Sequence, residues 1–180
     1  MDDNLYPGEY LIDLAKDLKK ENGSKLLESN QKNNINIKNF SLKWITDLIK
    51  KDLNLLGVKF DLFFSESDLV KKNKISICIN TLKKNKLIYQ GIPEKPKGRD
   101  LDEWEPRKQS LFKSSKFGDD VDRALQKSNG DYTYFAKDIA YHFDKYKRGF
   151  NFMINVWGAD HGGYIKRLSS AVKAITKNKA

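Results

Sequence analysis

The sequence has 180 residues, of which 39% are hydrophobic, and a formal net charge of +10 at pH 7. That length fits one domain, or a domain with a small insert, and the apolar fraction is sufficient for a packed core. No apolar run approaches the roughly 20 residues of a membrane-spanning helix, so we expect no membrane partner. The excess of Lys is dispersed, which favours a solvated basic surface over a dedicated nucleic-acid patch.

The cellular compartment is indicated by the cysteine content and the N-terminus. Cys78 is the single cysteine and therefore has no partner for an internal disulfide. The first residues are acidic and lack the apolar stretch of a signal peptide. Both features predict a cytoplasmic protein in a reducing environment.

Two amphipathic helices are predicted in the N-terminal third. The first lies between Pro7-Gly8 and Asn22-Gly23, and the second begins after Ser41 and ends at Gly57. The polar, Asn-rich residues 24–39 between them predict a loop. Apolar side chains recur at helical spacing in both helices, at Leu11, Leu14, Ala15 and Leu18 and at Ile45, Leu48, Ile49 and Leu53.

The middle of the chain is less regular. Residues 67–86 fit a helix by length, although Ile75, Ile77 and Ile79 also alternate as in a strand. Residues 87–89 predict a short strand. Residues 91–118 hold three of the four prolines and many charges, which predicts a long irregular connection.

The C-terminal part predicts a hairpin over residues 125–135, a helix from Asp138 to about Arg148, and a buried strand over residues 152–157. A glycine-rich turn at residues 158–163 and a helix over residues 164–175 follow. Strand, glycine turn and helix together are half of a βαβ unit.

The turn after the predicted last strand is a candidate nucleotide site. Gly158 would let a flat ligand approach the backbone, and Asp160 beside it would accept hydrogen bonds from ribose hydroxyls. The alternative is an ordinary turn, with Asp160 as a helix cap and His161 bonded locally. The residues alone favour that ordinary turn.

A second candidate site lies around Tyr134 and Asp138, with Tyr141 and His142 one turn further on. A carboxylate beside an aromatic ring is suited to a guanidinium or ammonium ligand. The alternative is that Asp138 only caps its helix or interacts with the helix dipole. The residues alone favour this second, structural role.

Other kinds of site have little support. Two histidines and one cysteine do not predict a metal site. The acidic residues Asp119, Asp120 and Asp122 favour a solvated loop partnered by Arg123 over a Mg²⁺ site. The sequence contains neither a phosphate-binding P-loop nor the nucleophile elbow of α/β-hydrolases.

Four segments together resemble bacterial arginyl-tRNA synthetases, which are class I enzymes. They read FGDDVDR at 117–123, SNGDYTYFAKDIAYH at 128–142, DKYKRGF at 144–150 and NVWGADHGGY at 155–164. Residues 6–10, 57–65 and 104–107 are also similar to this family. The similarity follows the family's order over nearly the whole chain.

The resemblance implies an α/β fold, namely the second half of the parallel sheet of a Rossmann-type class I catalytic domain. Residues 1–115 would be a mostly helical connective insert and its return, and residues 116–180 the nucleotide-binding half. It implies that Tyr134 and Asp138 bind the guanidinium of arginine. It also implies that Gly158, Asp160 and His161 lie against the adenosine of ATP.

The implied reaction is the ATP-dependent ligation of arginine to its tRNA, with Mg²⁺ accompanying ATP and no resident metal cofactor. The HIGH-type and KMSK-type signatures that handle phosphates in class I enzymes are absent from the sequence, so we assign no catalytic residue and expect the chain alone to be inactive. Missing synthetase halves are possible partners. The alternatives are a non-catalytic RNA-binding remnant and a free-standing nucleotide-binding domain.

The implied fold makes a geometric prediction. Residues 152–157 should run parallel to a strand that ends near Phe135, joined by a right-handed helical crossover. Asp138 and Gly158 would then border one cleft.

Overall fold

The computed structural model describes residues 8–28, 30–95, 104 and 106–180, and these divide between two compact units, Met1–Phe63 and Phe64–Ala180. The helices are α1 (Tyr10–Asn22), α2 (Gln31–Leu55), α3 (Glu66–Lys71), α4 (Lys74–Lys84), α5 (Tyr134–Lys147) and α6 (Ile165–Thr176). The strands are β1 (Ile88–Gly91), β2 (Gln109–Phe112) and β3 (Arg123–Gln126). Short 3-10 turns lie at Ser114–Phe117 and Ala159–Tyr164.

The first unit contains the two predicted helices, but α2 begins at Gln31, well before the predicted start at Ser41. The loop prediction for residues 31–39 is therefore wrong. Asn30 caps the helix, since its side-chain oxygen accepts a hydrogen bond from the Asn33 amide at 2.9 Å. The Asn33 side chain also donates to the carbonyl of Glu28 at 2.9 Å. The same asparagines that predicted a loop thus fix the start of a helix.

The second unit is built on a three-stranded antiparallel sheet in the order β1-β2-β3. Ile88 pairs with Phe112, and Leu111 pairs with Ala124. Because β2 is buried along its whole length, the predicted irregular connection over residues 91–118 is wrong at this strand. Residues 96–103 and 105 of that prediction lie outside the described residues.

The core of the second unit forms where α4, α5 and α6 pack against one another and against the sheet. Residues 67–86, predicted as one helix, form α3 and α4, with Asn73 between them in the left-handed region at φ 52°. Helix α6 agrees with its prediction except that it begins and ends one residue later. The buried core side chains include Cys78, Leu82, Phe112, Leu125, Ile139 and Ala171.

The predicted hairpin over residues 125–135 is wrong after its turn. One isolated bridge joins Gln126 to Tyr132, and the chain then enters α5 at Tyr134. Thr133 caps this helix, since its hydroxyl accepts a hydrogen bond from the Ala136 amide at 3.2 Å. Tyr134 therefore lies in the first turn of a helix and does not end a strand.

The predicted strand over residues 152–157, with its parallel pairing, is not formed within the described residues. Residues 152–157 have no strand partner within the described ranges, and all strand pairs of the sheet are antiparallel. Phe152, Ile154 and Val156 are 83%, 73% and 92% exposed. A strand needs a neighbour for its backbone hydrogen bonds and its apolar side chains, and the described part of this chain supplies none.

The acidic loop before β3 contains a buried ion pair. Asp119 accepts hydrogen bonds from Arg123 Nε at 2.9 Å and Nη2 at 2.8 Å, and its side chain is 1% exposed. The pairing with Arg123 is as predicted, but Asp119 itself is not solvated. Burial is the largest single influence and disfavours the charged carboxylate, but the hydrogen bonds and charge of Arg123, with the Asp120 amide and Ser114, together lower the pKa of Asp119.

We expect Asp119→Ala to lower the free energy of unfolding by about 3 kcal/mol, because it leaves Arg123 without its partner. Urea denaturation at pH 7 measures this, with Asp131→Ala as the control because Asp131 is exposed. Since the pKa of Asp119 is lowered on folding, the difference should be fully present above about pH 4 and should shrink as the pH falls through that lowered pKa. Equal losses of unfolding free energy in Asp119→Ala and Asp131→Ala would contradict a stabilising role of the Asp119–Arg123 pair.

Candidate functional site

A small cavity of about 200 Å³ lies beside the first turns of α5. Helix α5 contributes Tyr134, Lys137, Asp138 and Tyr141, whose spacing of i, i+3, i+4 and i+7 places them on one face. The start of α3 and the segment before it provide the opposite wall, with Phe64, Glu66 and Leu69.

Asp138 is the half-buried carboxylate of this cavity. Its Oδ2 atom accepts a hydrogen bond of 2.6 Å from the Tyr164 hydroxyl. Burial raises the pKa of Asp138 above the usual aspartate range, although the Tyr164 hydrogen bond and the nearby His142 favour the charged form. A carboxylate held partly out of water gains more from a cationic ligand than a solvated one does.

Tyr134 and Glu66 complete the polar part of the cavity. Tyr134 is 60% exposed, and the charge of Asp138 raises the pKa of its hydroxyl. Glu66 forms an ion pair with Lys137, with 3.3 Å between Oε1 and Nζ, and its side chain is 61% exposed. Glu66 was not identified from the sequence, because nothing local relates it to a helix that begins 68 residues later. The cavity therefore presents two carboxylates and three aromatic rings to a ligand.

The other candidate residues lie together in the turn before α6. Gly158 precedes the 3-10 turn, and a β-carbon there would come within 2.5 Å of Asp160 Oδ1. The His161 Nδ1 atom donates to the same oxygen at 2.9 Å, and this hydrogen bond lowers the pKa of Asp160. Asp160 does not cap α6, so that predicted alternative is wrong, whereas the local bonding of His161 is confirmed.

A larger cavity of about 660 Å³ borders this turn. Gly158 and His161 line it, while Asp160 does not. The cavity has apolar walls from α6 and polar groups at His142 and Asn155. An open cavity with apolar walls and a few polar groups has the character of a small-molecule site.

Two contacts connect the cavities. Tyr164 donates to Asp138, and its ring packs against Trp157 with centroids 5.8 Å apart. One turn along α5, His142 donates from Nδ1 to the Asp138 carbonyl at 2.8 Å, and its Nε2 lies 3.1 Å from the Asn155 side chain. Asp138 and Gly158 therefore line two separate cavities, not the single cleft predicted, although these contacts connect the two. Tyr164 was predicted only as the start of a helix.

Within the described ranges, no group of three or more His, Cys, Asp or Glu side chains is placed to hold a metal ion. In the same part of the chain, no helix is both long and apolar enough to cross a lipid bilayer.

Comparison with known proteins decides the family. The protein-family model described as tRNA synthetases class I (R), catalytic domain, matches residues 11–178. The chain belongs to this family. Among its relatives, the arginine–tRNA ligase of Ehrlichia chaffeensis is 51% identical over 177 residues, and that of Wolbachia pipientis wMel is 52% identical over 176. Each alignment covers 98% of this synthetase chain and 31% of the relative.

A solved structure gives the same assignment. A crystal structure described as an arginyl-tRNA synthetase from Campylobacter jejuni has a TM-score of 0.79 and 30% identity. The matched region covers 99% of this chain and 36% of the Campylobacter jejuni chain. The chain thus spans about a third of the length of the synthetases that it matches.

Proposed function

We propose that this chain contributes the arginine pocket and part of the adenosine site of an arginine–tRNA ligase. In that reaction the α-carboxylate of arginine attacks the α-phosphorus of ATP and pyrophosphate leaves. The terminal ribose hydroxyl of the arginine tRNA then attacks the arginyl carbonyl, and AMP leaves. The observation that carries the proposal is the half-buried carboxylate of Asp138 in a small cavity with a second carboxylate and two tyrosines.

The guanidinium of arginine fits this cavity by charge and shape. Asp138 accepts the N–H groups of the guanidinium, and Tyr134 lies beside it. Glu66 supplies the second negative charge, which Lys137 partly neutralises in the absence of ligand. The rings of Phe64 and Tyr141, whose centroids lie 4.8 Å apart, form an aromatic wall against which a planar cation can pack.

Adenosine occupies the larger cavity, with its base against the backbone of Gly158 and a ribose hydroxyl on Asp160 or His161. Mg²⁺ would arrive with the phosphates of ATP, and we assign no residue of this chain to it because the described residues gather no acidic cluster. The phosphate chemistry requires HIGH-type and KMSK-type segments, which this sequence does not contain. Because the relatives are translation enzymes, the proposed location of this protein is the cytoplasm.

The fold proposal follows from the exposed segment 152–157. In a full-length ligase this segment is the strand of a Rossmann-type parallel sheet whose neighbours lie in the portion of the relatives that this chain does not span. Residues 1–115 correspond to the connective insert and its return, and residues 116–180 to the second half of that sheet. The exposed, uncharged side chains of residues 152–157 support this assignment.

Binding of arginine and of citrulline to the chain tests the arginine pocket. Citrulline keeps the shape of arginine but carries a neutral ureido group. We expect citrulline to bind about 100-fold more weakly, because it leaves the partly buried Asp138 carboxylate unpaired. Chemical-shift titration with ¹⁵N-labelled chain measures both ligands. Equal binding, or arginine shifts far from α5, would contradict the proposal.

The rival function is that of a non-catalytic RNA-binding remnant. Residues 64–180 hold 24 Lys and Arg against 14 Asp and Glu, so the whole net charge of +10 belongs to the second unit. This favours contact with a polyanion. The lysines are nevertheless dispersed along the sequence, which does not indicate sequence-specific recognition.

We expect RNA binding by the isolated chain to be weak and non-specific, and to fall steeply as salt rises, because phosphate contacts release counterions. Fluorescence anisotropy between about 50 and 200 mM salt measures this with arginine tRNA and an unrelated tRNA. A clear preference for arginine tRNA at physiological salt would instead favour a specific binding module.

A further inference from the structure

We propose that Tyr164 is a positioning residue that orients the Asp138 carboxylate and couples the arginine pocket to the adenosine turn. The inference rests on the proposed function of the two cavities but concerns a residue that lines neither of them. Tyr164 acts through Asp138 and Trp157 and would contact neither reacting group.

The first observation is the hydrogen bond to Asp138. At 2.6 Å it is short, as expected when a hydroxyl donates to a charged oxygen. It occupies one lone pair of Oδ2 and fixes the plane of the carboxylate. A guanidinium needs two parallel N–H···O bonds, so a fixed plane reduces the ordering that arginine binding must otherwise achieve.

The second observation is the position of Tyr164 in the chain. It is the last residue of the 3-10 turn Ala159–Tyr164 and directly precedes α6. A movement of its ring therefore moves the turn that carries Asp160 and His161. The hydrogen bond to Asp138 spans 26 residues, so it ties this turn directly to α5.

The third observation is the aromatic contact set of Tyr164. Its ring meets Tyr134 at 6.5 Å and Phe135 at 6.2 Å on α5, and Trp157 at 5.8 Å ahead of the turn. Trp157 lines the larger cavity and Tyr134 the smaller one. One half-buried ring thus contacts a wall residue of each cavity.

A purely structural tyrosine would also donate its hydroxyl to a carboxylate, and the chain contains such a case for comparison in Tyr89, which is 37% exposed. Tyr89 donates to Asp122 Oδ2 at 2.9 Å, away from both cavities. Tyr164→Phe and Tyr89→Phe each remove one hydroxyl that bonds a carboxylate and keep the ring. They are a matched pair that differs in location.

NMR titration of the ¹³C-labelled 180-residue chain tests the proposal without a ligand. We expect Tyr164→Phe to shift the titration of the Asp138 Cγ resonance to higher pH, because the charged form loses a donor. The Trp157 and Gly162 resonances should follow the Asp138 titration in the wild-type chain and stop following it in Tyr164→Phe. The titrations of Glu66 and His142, which also face Asp138, are recorded in the same spectra.

Tyr89→Phe should leave the Asp138 titration and the Trp157 response unchanged. An unchanged Asp138 titration in Tyr164→Phe would overturn the proposal. An equal change in Tyr89→Phe would also overturn it, since the effect would then be general loosening of the fold.

Arginine titration of the same samples separates this inference from the proposed function. We expect Tyr164→Phe to weaken arginine binding roughly tenfold, the typical contribution of one hydrogen bond to a charged group, with no change in Tyr89→Phe. If no variant binds arginine while the ligand-free coupling is present, the arginine pocket fails and the coupling stands. If arginine binds equally to the wild-type chain and Tyr164→Phe, the positioning role fails and the pocket stands.

Discussion

Purified alone, the 180-residue chain is expected to show no arginine-dependent exchange of pyrophosphate into ATP. Under the proposed function, its described residues would hold the amino-acid and nucleoside portions of arginyl-adenylate, but none is assigned to the phosphates. Stabilisation of charge on the transferring phosphorus is a major part of catalysis in phosphoryl and nucleotidyl transfer, so its loss should reduce exchange below detection. The assay follows labelled pyrophosphate entering ATP with and without arginine.

A chimera provides the matched positive experiment. The Wolbachia pipientis wMel ligase aligns with 98% of this chain, so residues of this chain can replace the aligned third of that enzyme. We expect the chimera to exchange pyrophosphate in the presence of arginine. Robust exchange by the isolated chain, abolished by Asp138→Ala, would contradict the first expectation, and a folded but inactive chimera would contradict the proposed function.

Replacing Asp138 by Asn is expected to weaken arginine binding by about 100-fold or more, the largest effect among single substitutions in the cavity. Asn keeps the shape of the side chain but removes the charge, so the guanidinium would be partly desolvated without a full counterion. Calorimetry on the chain, or KM for arginine in the chimera, measures the effect. Asp131→Asn is the control, because Asp131 is exposed and outside both cavities.

The same carboxylate is expected to set an acid limit on the proposed arginine binding. Burial raises the pKa of Asp138, so its ionised form is lost at a higher pH than that of a solvated aspartate. Arginine affinity should therefore fall as the pH decreases through this raised pKa. In Asp138→Asn that step should disappear. Persistence of the full step would show that another group controls binding.

The helices were more predictable than the sheet, because their apolar spacing is a local property. Helices α1 and α6 follow from their apolar periodicity, and α5 follows in part, since its predicted start at Asp138 lies inside the helix that begins at Tyr134. Strand β2 is buried, yet its four residues lie in a charged, proline-containing stretch with no local strand signal. The segment at residues 152–157 shows the reverse case: its composition is that of a strand, but the described part of the chain offers it no neighbouring strand.

The residues of the candidate site also differ in whether a local sequence signal could identify them. Tyr134 and Asp138 were predicted to face one pocket from a strand end and a helix start, whereas the structure places both on one face of α5, one turn apart. Glu66 and Tyr164 enter the arrangement through tertiary contacts across 72 and 26 residues, and no short motif contains that information. The resemblance to a family identified the region, and the structure identified its additional members.

The uncovered segment at residues 152–157 also has a consequence for how the chain behaves in a cell. Six consecutive residues, FMINVW, carry no charge and no proline, and most of their apolar surface faces solvent. Such a window is a template for edge-to-edge pairing between chains and a recognition element for chaperones. A freely diffusing 180-residue product would therefore be subject to self-association and to quality control unless a complementary polypeptide covered this segment soon after synthesis.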